Sequence, residues 1–232
     1  MSIIKIEDIA HVRFSAPDLP KMQDFLNDFG LQTEVLEDGK LYGRAGDGIP
    51  FHHVTEEGEP AFTALGLRAE SVDDLEKLAA SEGVPVENLD TPSGGKVVRM
   101  TDPDGVLVEV VAGQGKIEST APPTGKLRNN IHARPRQRDS VRLDPGPAHV
   151  MRLGHCVLNV SDFRTSERWY KDRFGFITSD EIEASPTVSV GAFMRCDRGD
   201  QPTDHHTLFL AQVPQKLGFM HAAFEVADID DL

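Results

Sequence analysis

The chain has 232 residues, room for one large domain or two small ones. Its 39% hydrophobic and 27% charged residues are an ordinary globular balance, which excludes a disordered chain. A formal net charge of −14 makes nucleic acid and anionic membrane surfaces poor partners.

No apolar run approaches the roughly 18 residues that a membrane-spanning helix needs. The opening MSIIKIEDIAH lacks the apolar core of a secretion signal. Two cysteines, Cys156 and Cys196, make no disulfide framework and fit a reducing cytoplasm, the expected location.

The charge divides the chain into three. Residues 1–112 hold 9 Lys and Arg against 22 Asp and Glu, net −13. Residues 113–150 are net +4 and rich in Pro, Gly, Arg and Asn, without helical or strand period. They read as a long basic linker, or as a strap against an acidic module. Residues 151–232 are net −5.

The flanking segments repeat one another. IAHVRFSAPDLPKMQDFLNDFGL aligns with LGHCVLNVSDFRTSERWYKDRFGF, so His11 matches His155, Asp18 matches Asp162, and Gly30 matches Gly175. Further on, ALGLRAESVDDL aligns with HAAFEVADIDDL, pairing Ala64 with His221.

Taken in chain order, the first strand leads into a helix capped by Asp18 and ended at Gly30. Met22, Phe25, Leu26 and Phe29 form its apolar stripe. Ser71 starts a second helix and Gly83 ends it. KVVRM, the turn Asp102-Pro103-Asp104-Gly105 and VLVEVV predict a hairpin, with Leu107, Glu109 and Val111 on one face. The fold class is α+β, two repeated βαβββ modules forming cupped mixed sheets. The second module lacks a counterpart to residues 76–112, so it is expected to be completed by further chain or by a partner.

Strand alternation puts Leu153, His155, Val157 and Asn159 on one face, Phe219, His221 and Ala223 on another, and His206 with Leu208 and Leu210. A single imidazole among apolar neighbours is most often a hydrogen-bonded core residue. Several together are costly unless a metal uses their lone pairs. The carboxylate of Glu109 among valines needs a cation or strong donors. Two His and one carboxylate with open positions is the ligand set of Fe(II) oxygenases.

GHCVLNVSD followed by Trp169-Tyr170 and Phe174-Gly175, DHHTLFL, and FMHAAFEV resemble the vicinal oxygen chelate superfamily, and within it the two-module extradiol dioxygenases. The resemblance implies a metal-free N-terminal module, 1–112, and a catalytic module, 151–232, joined by the linker 113–150. It implies Fe(II), or Mn(II), on His155, His221 and a Glu beyond Leu232. His206 would be the acid–base residue, His205 its neighbour on the opposite face. The reaction implied is O2 insertion into a catechol-type ring beside the diol, in a homo-oligomer with no nucleic-acid or membrane partner. The alternatives are a glyoxalase-like isomerase or lyase, and a non-enzymatic small-molecule binder. In the first module Ala64 offers no ligand, and His11 is expected to be structural, hydrogen-bonded to Glu109.

Overall fold

The computed structural model describes residues 2–91, 93–122, 129, 131–134 and 145–232. Most of the basic linker between 123 and 144 lies outside the described residues.

The first unit runs β1 (Ile6–Ala16), α1 (Leu19–Phe29), β2 (Gln32–Val35), β3 (Leu41–Arg44) and β4 (His53–Glu57). The next runs β5 (Ala61–Ala69), α2 (Val72–Glu82), β6 (Val86–Asn88), β7 (Lys96–Thr101) and β8 (Leu107–Ala112). The variable middle of the first module is thus strands, and residues 1–112 hold two consecutive βαβββ units. They form one eight-stranded sheet, ordered β2-β3-β4-β1-β5-β8-β7-β6.

The third unit is β9 (Val150–Val160), α3 (Phe163–Phe174), β10 (Ile177–Ser185), β11 (Val188–Arg195) and β12 (Leu208–Gln212). β13 (Gly218–Val226) follows, giving a five-stranded sheet ordered β10-β11-β12-β9-β13. Among the described residues, no helix is long and apolar enough to cross a membrane.

The helix ends are those the sequence marks. Asp18, Ser71 and Asp162 each accept a backbone N–H three residues on, satisfying a donor the first turn leaves unpaired. Gly30, Gly83 and Gly175 end the helices in the left-handed region. The stripe on α1 is only partly buried. Leu26 enters a cluster with Leu31, Leu41, Ala45 and Val150, while Phe25 and Phe29 remain 60% and 41% exposed. Phe29 instead meets the Phe224 ring edge-on at 5.5 Å.

The two sheets share one apolar core. Ile6, Ile9, Leu65 and Leu78 from the first module and Leu158, Phe163, Tyr170 and Phe174 from the second lie in one buried cluster. Polar groups tie the halves together. The buried Tyr170 hydroxyl donates to Asp102 Oδ2 at 3.0 Å, and Arg173 pairs with Glu82 at 2.8 Å. Cys156 and Cys196 are buried free thiols.

Equivalent register fixes which side chains face away from the helices. In β1–β5, Ala10 and Thr63 are extra residues, between the pairs Ile9–Leu67 and His11–Gly66, and between Arg13–Ala64 and Phe14–Phe62. In β13–β9, Gly154 and Met220 are extra in the matching places. Each such bulge shifts the side-chain alternation by one.

Three face assignments change, the first two through these bulges and the third because His206 lies outside the β12 ladder. Leu153 joins Cys156 in the core, on the opposite side from His155. Phe219 pairs with Leu158 and packs on Phe14 and Phe62, whereas His221 pairs with Val157. His206 precedes β12 and lies beside Phe193, on the side of Phe209 rather than that of the buried Leu208 and Leu210.

Replacing Tyr170 with Phe removes one hydrogen bond between the two halves and leaves part of the Asp102 carboxylate unpaired. A loss of about 1–3 kcal/mol is expected. Urea unfolding measures it, and an unchanged midpoint contradicts the link.

Candidate metal centre

In the second sheet the cup is built on β9 and β13. Alternation after Gly154 turns His155 outward, and alternation after Met220 does the same for His221. The two Nε2 atoms lie 3.3 Å apart. The His206 ring centroid is 4.2 Å from that of His155. The structure therefore brings His155, His221 and His206 together.

Two nitrogens bound to one ion at about 2.1 Å lie roughly 3 Å apart at the usual ligand angles, so the His155–His221 pair fits a shared metal. Burial, reinforced by the neighbouring imidazoles His206 and His221, pushes the pKa of His155 down to about 4. It is therefore neutral at neutral pH, with a lone pair to donate. Burial also lowers His206, with His205 adding to the effect. Among the described residues, no group of three or more His, Cys, Asp or Glu is arranged to hold a metal. The pair supplies two donors of the expected three.

Residues not singled out from the sequence complete the surroundings. Phe193 and Phe209 stack at 4.2 Å and wall the cup beside His206. His205 Nε2 is 2.7 Å from Asp180 Oδ2, and its Nδ1 is 3.3 Å from His206 Nδ1. Phe193 and Phe209 are cross-strand partners, but an aromatic alternating with leucine looks the same in sequence whichever face it takes.

The first sheet has the same cup with different chemistry. The β1–β4 pair Val12–His53 matches the β9–β12 pair Cys156–Leu208, so Phe51 stands where His206 stands. Phe51 meets the His11 ring at 5.2 Å, the counterpart of the His206–His155 contact. Ala64 pairs with Arg13 as His221 pairs with Val157.

His11 is fully buried, and its Nε2 is 2.8 Å from Glu109 Oε2, as expected from the sequence. A carboxylate only accepts, so His11 carries its proton on Nε2. Burial keeps the ring neutral. Gly66 makes room for it, since a Cβ there would come within 2.4 Å of the ring.

The donors that Glu109 requires are Arg13, at 2.6 Å, and Arg99, at 2.9 Å. Burial alone would raise the Glu109 carboxyl. The hydrogen bond from His11, the charge of Arg13 and the hydrogen bond from Arg99 outweigh it and hold the group well below the usual carboxylate range. Nothing in the local sequence announces Arg99 as its partner.

The family model of the Glyoxalase/Bleomycin resistance protein/Dioxygenase superfamily matches residues 8–110 and 152–232. The chain belongs to this superfamily. It is 28% identical over 240 residues to metapyrocatechase 2 of Cupriavidus necator, spanning 98% of this chain and 68% of that protein. It is 25% identical over 252 residues to the iron-dependent extradiol dioxygenase of Rhodococcus jostii (strain RHA1), spanning 99% of this chain and 75% of that protein. The fold matches the Mn(II)-bound glyoxalase from Novosphingobium aromaticivorans with a TM-score of 0.76 at 21% identity, over 98% of this chain and 68% of that one. The metapyrocatechase and extradiol dioxygenase relatives support an oxygenase-type enzyme.

Glu109→Gln tests the buried cluster of the first sheet. It leaves Arg13, Arg99 and His11 without their carboxylate and is expected to cost about 2–4 kcal/mol at pH 7, somewhat less than a fully buried pair because Arg99 is partly exposed. Because the folded carboxyl is depressed, its stabilisation is full above the ordinary Glu range, about pH 4.3, and is lost as pH falls below it. Wild type and variant should therefore converge in unfolding experiments carried from pH 7 towards pH 3. A constant difference across that range contradicts the assignment.

Proposed function

We propose that this chain carries the metal-binding half of an extradiol ring-cleavage dioxygenase. The observation that carries this reading is the meeting of His155 and His221 at 3.3 Å with His206 beside them. In this reading residues 151–232 are the catalytic module and residues 1–112 the non-catalytic one.

His155 and His221 would hold Fe(II), or Mn(II), through Nε2. The third donor would be a carboxylate on a strand pairing along β13. The repeat supports that position, because Glu109 on β8 pairs with Gly66, and Ala223 on β13 is the counterpart of Gly66. A divalent ion held there would supply open positions for a catechol-type diol and for O2 and would polarise the diol.

The chain's own residues then have separate tasks. Phe193 and Phe209 offer an aromatic wall against which a flat ring packs, and they limit access of water. His206 takes the proton from a substrate hydroxyl and later returns it. Its Nδ1 faces His205, which leaves Nε2 as the nitrogen for that transfer. The depressed pKa of His206 keeps it in the basic form at neutral pH. The isomerase or lyase reading fits less well, since an imidazole stands where such enzymes are expected to use a carboxylate.

Two measurements test the reading. The first is metal uptake after anaerobic loading with Fe(II). His155→Ala and His221→Ala are expected to lose the ion, because one remaining imidazole with a single further donor rarely retains Fe(II). Full metal stoichiometry in either variant overturns the ligand assignment. The second is cleavage of catechol, followed by the yellow colour of the ring-opened product. His206→Gln is expected to keep fold and metal while turnover falls by roughly 10²–10⁴-fold. Normal turnover in that variant, or loss of its metal, removes His206 from the proton-transfer role.

A further inference from the structure

We propose that the cup of the first sheet is a second, metal-independent binding site, one for a planar organic monocarboxylate. A cavity of about 600 Å3 opens on this face. It adjoins the counterpart of the second sheet's cup: Phe51, in the place of His206, lines it, while His11 and Ala64, in the places of His155 and His221, are buried and do not. Tyr42 corresponds to Phe193, since Tyr42 and Phe193 stand two residues before the matching positions Arg44 and Arg195. Phe51 corresponds to His206. Tyr42 and Phe51 meet edge-to-face at 5.3 Å, and Phe51 covers His11. The floor is therefore aromatic and sealed from the Glu109 cluster. No imidazole lines it, and the Tyr42 hydroxyl donates to Asp38 at 2.7 Å, so the site is one for binding rather than for proton transfer.

The charges at the mouth select the ligand. Residues 1–112 are net −13, yet Arg44 and Lys116 both line this cavity. The other three arginines of that segment are engaged: Arg13 by Glu109, Arg68 by Glu7 and Asp8, and Arg99 by Glu87 and Glu109. Among the described residues, Arg44 and Lys116 have no ion pair. An unengaged guanidinium in an acidic module is suited to bidentate recognition of a carboxylate. Glu34 also lines the cavity, so the charged lining is net +1 and favours a monoanion.

Lys116 is held over the mouth by its neighbours. Gly115 N–H donates to Ser93 O at 2.9 Å, Ile117 N–H to Gly48 O at 3.0 Å, and Thr120 N–H to Gly46 O at 2.8 Å. These bonds lay the strap across the cup and reduce the ordering that a ligand would otherwise have to impose. Leu36, Pro50 and Ile117 supply the apolar faces against which a flat ring packs.

The test uses the metal-free 232-residue chain with 2-naphthoate as probe, 2-naphthamide as its neutral counterpart, and titration calorimetry as readout. Saturable one-site binding of naphthoate is expected, with naphthamide at least tenfold weaker. Arg44→Gln and Lys116→Gln should each weaken naphthoate by about tenfold, the effect of losing one charge-assisted contact. Arg44→Lys should recover part of the loss. Both side chains are exposed, and matched urea midpoints verify that the variants fold. His155→Ala should leave binding unchanged. Failure to saturate, equal binding of acid and amide, indifference to both Gln variants, or loss of binding in His155→Ala would each overturn the proposal. The last result would assign the probe to the second sheet's cup.

Discussion

One extra residue in a β-strand sends every side chain beyond it to the other face. Both central strand pairs of this protein contain three such residues at equivalent places, Glu7, Ala10 and Thr63 in one sheet, Met151, Gly154 and Met220 in the other; Ala10 and Thr63, and their counterparts Gly154 and Met220, flank the cups. The cups depend on them. Without the bulge at Gly154, Leu153 and His155 would share a face, and one of them would be misplaced. With it, Leu153 packs in the core while His155 faces the cup. Met220 likewise separates the core residue Phe219 from His221. The convergence of His155 and His221 is thus a consequence of backbone register before it is a matter of side-chain chemistry.

The same frame then carries two chemistries. In the first sheet, Ala64 and Phe51 replace the second and third imidazoles, and Arg13 replaces Val157. His11 keeps its place, but its Nε2 is committed to Glu109, and Arg13 and Arg99 neutralise the carboxylate. Such a buried cluster costs desolvation and returns it through geometry, so removing one member is more damaging than the pair is stabilising. Among the described residues of the second sheet, no cation or carboxylate is hydrogen-bonded to or paired with His155. Its nearest polar contact is another imidazole nitrogen, and its lone pair stays available.

Much of this was legible in the residues. The capping residues Asp18, Ser71 and Asp162, the helix-ending glycines and the Asp102–Gly105 hairpin act through local backbone conformation, so local sequence reports them. The match of His11 with His155 and of Ala64 with His221 holds because duplicated units keep their register. The bulges were not legible. An extra residue in a strand alters no residue type, and period-2 counting passes straight over it, which is why it places Leu153 and Phe219 with the wrong neighbours; it misplaces His206 because that residue stands before β12, outside the ladder. Glu109 could be recognised as needing a partner, but Arg13 and Arg99 reach it only through strand pairing across the sheet. The exposure of Phe25 and Phe29 was equally hidden, because an apolar stripe states what could be buried and the surrounding elements decide how much is.

His206 shows how position within a strand pair governs role. It stands just before β12, where the backbone has left the ladder and the side chain is free of strict alternation. A residue inside β12 would be locked to one face by its pairing with β9. At the strand's mouth, His206 lies over His155 on one side and reaches His205 on the other, and His205 continues to the exposed Asp180. That arrangement gives an imidazole contact with both the cup and the solvent-facing edge of the sheet. In the first sheet the same position holds Phe51, which closes the route and turns the cup's floor apolar. In the proposed reading, the difference between a cup that moves protons and one that only binds rests largely on the residue at this one strand entrance.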